Sequence, residues 1–77
     1  MQVNLSRSAA KYLARQSEPY KGQIVNALAG LEEEPSEGDV KELTGYPGIY
    51  RLKVDKYRLL FEIGATSIDV FYIGPRS

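Results

Sequence analysis

Two runs of alternating side chains, "YRLKV" at Tyr50–Val54 and "YRLLFEI" at Tyr57–Ile63, stand on either side of the pair Asp55-Lys56. Period-two alternation marks a strand with one covered face, and a two-residue gap fits a tight hairpin turn. Counting outward from that turn sets the register: Val54 opposes Tyr57, Lys53 opposes Arg58, Leu52 opposes Leu59 and Arg51 opposes Leu60. Tyr50, Leu52, Val54, Tyr57, Leu59 and Phe61 then share a face that must pack on something, while Arg51, Lys53 and Arg58 share the other.

The remaining segments supply the cover. "QVNL" reads as a short first strand, with Val3 and Leu5 between polar neighbours. "SRSAAKYLARQ" reads as a short helix capped by Ser6 or Ser8, with Ala9, Tyr12 and Leu13 on one face. A second helix starts at Pro19 and carries the stripe Tyr20, Ile24, Ala27, Leu28 and Leu31. Pro35 is expected to stop it, after Glu32, Glu33 and Glu34 have opposed the helix dipole and frayed its end. "PSEGDVKELTGYPGI" is expected to be loop, with a turn of helix around Val40 to Leu43. "GATS" turns the chain into a last strand, "IDVFYI", which Gly74-Pro75 ends. The reading is α+β, one domain over residues 1–77: a short N-terminal strand, a two-helix hairpin, then an antiparallel β-meander packed against the helices.

Composition narrows the chemistry. The chain has neither cysteine nor histidine, which removes disulfides, thiol nucleophiles and the usual metal ligands and leaves Lys, Tyr, Asp or Glu for acid–base work. No metal or other cofactor is expected. No apolar run nears the roughly 20 residues that span a bilayer, and "MQVNLSRSAA" lacks the regions of a signal peptide, so a cytoplasmic protein away from membranes is expected. Ten Lys and Arg balance ten Asp and Glu, which argues against strong nonspecific binding to nucleic acid. The balance is uneven: residues 1–40 hold four cations against six acids, and residues 41–77 six against four.

Lys53 directly opposite Arg58 is the unusual feature. Like charges in that relation destabilise a sheet by up to the order of 1 kcal/mol, and a 77-residue chain has little stability in reserve. Two readings compete. The open face of an antiparallel sheet takes polar side chains simply because it meets water, and the charge pattern alone favours that. Alternatively the face cradles a polyanion, with arginines gripping phosphate oxygens two at a time. Leu60 belongs among the cations, Phe71 and Ile73 join it or not according to the last turn, and an aromatic ring there could stack on a base.

The order "SRSAAKYLARQ", "QIVNALAGLEEEP", "GDVKELTG", "YRLKVDKYRLLFEI" and "IDVFYIGPR" resembles the RelE-type toxins of bacterial toxin–antitoxin pairs almost end to end. The hairpin and the closing "IG-x-R" are the specific part. The resemblance implies a microbial-RNase-like RelE fold and a metal-independent toxin that cleaves messenger RNA in the ribosomal A site. It also implies a cognate antitoxin that covers the basic face and brings the complex to operator DNA. Carried over by position, Lys53, Arg58 and Arg76 are the catalytic cations around the scissile phosphate, and Arg51, Lys56 and Phe71 hold the RNA. Arginine stays protonated, so Arg58 and Arg76 suit phosphate clamping, while Lys53, crowded by Arg51 and Arg58, is expected to serve as base.

The sequence departs from the family in two ways. Many members continue past the last arginine to a tyrosine that aids proton transfer or stacks on RNA, whereas this sequence runs to Ser77, which points to attenuated catalysis or proton transfer by ribosomal RNA. Its zero net charge is the other departure. The competing implications are a ParE-like toxin of the same fold that inhibits DNA gyrase by binding, and a catalytically weak relative acting through its antitoxin. The trio Lys53, Arg58 and Arg76 fits a phosphate site and has no evident use in gyrase poisoning.

Overall fold

The computed structural model describes residues 1–33 and 40–76. The elements run β1 (Gln2–Leu5), α1 (Arg7–Ala14), α2 (Tyr20–Leu31), β2 (Val40–Glu42), β3 (Ile49–Val54), β4 (Tyr57–Ile63) and β5 (Ser67–Pro75). The five strands form one sheet in the order β1-β5-β4-β3-β2. Both helices cover one face of it, and the core lies between, with Ile24, Leu59 and Phe61 each 0% exposed.

The hairpin register is the one that the two-residue turn dictates: Val54 pairs with Tyr57, Lys53 with Arg58, Leu52 with Leu59 and Arg51 with Leu60. Asp55 takes a left-handed φ of 54° in that turn, a conformation that its short polar side chain tolerates. Ser6 caps α1 by accepting from the Ala9 amide at 3.1 Å, and its own amide donates to the Val70 carbonyl at 2.8 Å. One serine thus starts a helix and ties it to β5. The stripe on α2 packs as its spacing requires, Ile24 and Leu31 buried, Tyr20, Ala27 and Leu28 half-buried.

Three expectations are corrected. The residues around Val40 form a strand, not a turn of helix: Val40 and Lys41 pair with Leu52 and Arg51, so an open strand edge offered more hydrogen bonds than a lone turn. Helix α2 ends at Leu31, capped by the Glu32 amide on the Ala29 carbonyl and the Glu33 amide on the Gly30 carbonyl, before Pro35 could act; Glu34 and Pro35 lie outside the described residues. Strand β5 continues through Gly74 and Pro75. In addition β1 joins the sheet parallel to β5, Val3 beside Ile68 and Leu5 beside Val70, which makes the sheet mixed and buries the apolar half of β5 between β1 and β4.

A β-bulge decides the last strand. Leu60 pairs with Tyr72 but Phe61 pairs with Val70, so Phe71 is the extra residue. The insertion shifts the alternation by one. Ile68, Val70 and Ile73 therefore all face the core, at 1–3% exposure. Ile73 does not join the cations; Tyr72 and Gly74 take the places on the open face.

Candidate polyanion-binding face

Two rows of residues cross the uncovered face of the sheet. One runs Lys41, Arg51, Leu60, Tyr72, and the next runs Lys53, Arg58, Gly74. Lys41 and Lys53 are exposed, whereas Arg51 and Arg58 are half-buried. Two of their nitrogens, Arg51 Nη1 and Arg58 Nε, are buried without an acceptor among the described residues. A buried donor left unsatisfied costs roughly 1–3 kcal/mol, more when it is charged. An ordinary solvated face has no reason to hold two. An anion with several oxygens, seated between the strands, removes both penalties at once.

The tip of the hairpin is anchored from the helical side. Tyr57 meets Tyr12 and Tyr20 edge-on, with centroids 6.3 and 5.8 Å apart, and its hydroxyl donates to Gln16 Oε1 at 3.2 Å. This cluster keeps the tip, and with it Lys53 and Arg58, at a set height above the helices. Burial, then the phenols of Tyr57 and Tyr72, push the Tyr12 phenol above its usual pKa.

Arg76 arrives at the tip by backbone and side chain together. Its amide donates to the Lys56 carbonyl at 2.9 Å, and its Nη1 to the Asp55 carbonyl at 2.8 Å. The structure thus brings Arg76 to the turn that joins Lys53 and Arg58. Lys56 goes elsewhere. Its ammonium sits 4.4 Å from the centroid of the Tyr20 ring, where the hydrogen bond it donates to Tyr20 and the phenol's charge raise its pKa. This cation–π contact draws the Lys56 ammonium toward α2 instead of toward Arg51 and Arg58.

Beside Arg58 the open face dips into a cleft of about 500 Å³. Leu60 and Ile49 form its floor, and Phe71 one flank. Leu43 and Tyr46, on the loop between β2 and β3, form the opposite flank, and Glu62 stands at the far end from Arg58. That loop is a built structure. Gly45 and Gly48 both have a φ of +84°, a region glycine enters freely, and the Gly48 amide donates to Glu42 Oε2 at 3.1 Å. A smaller groove of about 290 Å³ lies under α2 against β1, lined by Val3, Leu5, Val25 and Leu28, and has no cation in its wall.

The structure puts Arg51, Lys53 and Arg58 on the open face, Phe71 at its cleft and Arg76 at the hairpin turn; Tyr46, Glu62 and Tyr72 were not among the expected site residues. The "GYPG" loop could have flagged Tyr46, since two glycines around one aromatic often mean a turn that displays it. Tyr72 depended on the bulge, for which alternation gives no signal. Among the described residues no cluster of side chains is arranged to hold a metal ion, and no helix is long and apolar enough to cross a membrane.

Comparison with known proteins gives a consistent result. Residues 3–77 match the family described as the ParE toxin of the type II toxin–antitoxin system, parDE. The fold is similar to RelE in the archaeal RelE–RelB complex of Pyrococcus horikoshii OT3, with a TM-score of 0.81 at 22% identity, covering 99% of this chain and 94% of that one. It is similar to the RelB–RelE antitoxin–toxin complex of Methanococcus jannaschii, at 0.78 and 18%, over 95% of this chain and 89% of that. The isolated E. coli RelE toxin gives 0.80 at 20%, over 99% of this chain and 84% of that. No curated protein matches the sequence.

Proposed function

The chain belongs to the ParE toxin family of type II toxin–antitoxin systems, and on that premise we propose that it is a ribosome-dependent endonuclease of messenger RNA. The observation that carries this reading is the pair of buried guanidinium nitrogens on Arg51 and Arg58 that have no acceptor among the described residues, with Lys53 the register partner of Arg58. Binding to a protein surface does not require stranded donors of this kind; binding a phosphodiester satisfies them.

The proposed reaction is attack of a ribose 2′-hydroxyl on the adjacent phosphorus. The 2′-oxygen forms a bond to phosphorus as the bond to the 5′-oxygen breaks. The Lys53 side chain takes the 2′ proton, and the leaving 5′-oxygen is protonated by solvent or by the ribosome. Arg58, with Arg51 behind it, spreads the charge that builds on the phosphorane, a kind of contribution typically worth 10²–10³ in rate per donor. Arg76, tied to the hairpin carbonyl, closes the tip side of the phosphate position. The expected partners are a cognate antitoxin, the ribosome with its message, and operator DNA through the antitoxin complex, all in the cytoplasm.

The match to the ParE toxin family keeps open a second reading, in which a ParE-like toxin inhibits DNA gyrase by binding and has no nuclease activity. Purified protein, tested on a translated transcript and on gyrase supercoiling, separates the two. Broken transcripts with unaffected supercoiling support the endonuclease; intact transcripts with blocked supercoiling overturn it.

A further inference from the structure

We infer that α1 carries a second RNA-binding surface. The ridge Arg7, Lys11 and Arg15 docks on the phosphate backbone of folded ribosomal RNA while the open face of the sheet holds the message. The inference rests on the endonuclease reading and names the partner surface that reading calls for. Residues 1–17 hold these three cations and none of the chain's ten acids, the first of which is Glu18. The acids from Glu18 onward mask this in the total.

Local physics gives the ridge little reason to exist. Spaced by four, the three exposed side chains line one side of α1, away from the core-facing Ala9, Tyr12 and Leu13. Like charges at that spacing repel, and the pattern holds two such pairs. The helix dipole suits Lys11 and Arg15 near the far end, but Arg7 opens the helix, where a cation is disfavoured. No acid compensates. Glu18 accepts from the Gly22 amide at 2.9 Å at the start of α2, and none of the three cations makes an ion pair with a described residue. Between them stand only Ala10 and Ala14, exposed and small, so nothing holds a partner off. The cations follow one another by roughly 6 Å along the axis, close to the step between neighbouring phosphates on a strand.

The ridge also borders the face that holds Arg58. Strand β1 pairs with β5 only as far as Val70, and beyond that point α1 runs beside β5. At its start the Ser6 hydroxyl donates to the Phe71 carbonyl at 3.3 Å. At its end Gln16 accepts from the Tyr57 hydroxyl, at the hairpin tip. A backbone lying along α1 is therefore separated from the strand of Arg58 by β5 alone. Folded RNA around a bound message supplies two such neighbouring segments. A chain of zero net charge has no general attraction for free transcripts, whereas a local row of phosphate contacts positions it without reading sequence.

The test measures binding of the full chain to purified ribosomes between about 50 and 200 mM salt. Each of Arg7→Gln, Lys11→Gln and Arg15→Gln is expected to make the plot of log affinity against log salt shallower by about 0.7–0.9. The triple variant should lose about two to three in slope and bind at least roughly tenfold more weakly at the low-salt end. Lys21→Gln, the same charge loss on α2, should leave the slope as it is. In the unsubstituted chain, ribosomes should shield Lys11 from acetylation, a readout that requires no variant to fold. An unchanged slope in the triple variant, a Lys11 equally reactive with and without ribosomes, or a ridge that responds only to an acidic protein each overturns the surface. Transcript cleavage tests the endonuclease reading separately. Ridge-dependent ribosome binding without cleavage refutes the nuclease alone, and cleavage with ribosome binding indifferent to the ridge refutes the surface alone.

Discussion

The ring of Tyr72 lies along β5 over Gly74, with its hydroxyl oxygen where a β-carbon on residue 74 would stand. Gly74 is in turn the register partner of Arg58. A glycine in a strand interior usually weakens it; here it gives an aromatic side chain a flat berth beside the guanidinium. Gly74→Ala must therefore lift Tyr72 from its place beside the register partner of Arg58. Transcript cleavage is expected to fall in Gly74→Ala while stability shifts by no more than about 1 kcal/mol, because the ring is the free end of an exposed side chain. Adding Tyr72→Ala should restore cleavage in the double variant. A Gly74→Ala protein as active as the parent contradicts the berth.

Arg58→Ala separates function from folding. Its Nε is buried without an acceptor among the described residues, so truncation removes a penalty instead of a bond. The expected outcome is a melting temperature equal to or above the parent's, with cleavage reduced by roughly 10²–10³. A variant that melts much lower would make Arg58 a structural residue.

Lys53 carries a different expectation. Lys53→Met keeps the stem and deletes the ammonium opposite Arg58, which relieves a like-charge pair. Stability should rise by up to about 1 kcal/mol, cleavage should drop, and the shape of the pH–rate profile should change. A profile of unchanged shape would remove Lys53 as the proton acceptor.

Core positions differ in what they should lose. Ile24, at 0% exposure, is expected to cost about 2–5 kcal/mol on truncation to Ala, close to the whole stability of so small a domain. Leu28 sits on the same stripe but is only half-buried beside the groove under α2. Leu28→Ala should cost less, and denaturant midpoints for the two variants check the order.

Alkaline pH provides a test of the tyrosine cluster. Burial first, then Tyr57 and Tyr72, raise the Tyr12 pKa above the usual 10.0. A raised folded-state value means that the folded protein holds this proton more tightly than the unfolded chain. Its contribution is full below about pH 10 and disappears as pH climbs through the folded value. Tyr12→Phe should consequently flatten the loss of stability above pH 10; an alkaline limb identical to the parent's would contradict the assignment.

The sequence made the hairpin fully legible, because the turn at Asp55-Lys56 and strict alternation leave one register, and that register puts Arg51, Lys53 and Arg58 together. The capping role of Ser6 and the α2 stripe were readable for the same local reasons. What was hidden is non-local. Strand β2 exists because the edge of β3 is there to pair with, a fact absent from "VKE" itself. The bulge at Phe71 reverses the alternation of β5 and so exchanges Ile73 for Tyr72 on the open face. Lys56 was counted with its neighbours in sequence, but the nearest π face, Tyr20, lay on the other side.

The central claim is that stranded guanidinium donors beside Lys53 hold a phosphodiester while the neighbouring 2′-hydroxyl attacks it. The most direct measurement is the chemistry of the ends left on a transcript translated in the presence of the purified protein. Attack by the 2′-hydroxyl predicts discrete breaks bearing a 2′,3′-cyclic phosphate on one side and a 5′-hydroxyl on the other, and their disappearance with Arg58→Ala. Intact transcripts, breaks ending in 5′-phosphates, or breaks that persist in Arg58→Ala would contradict it.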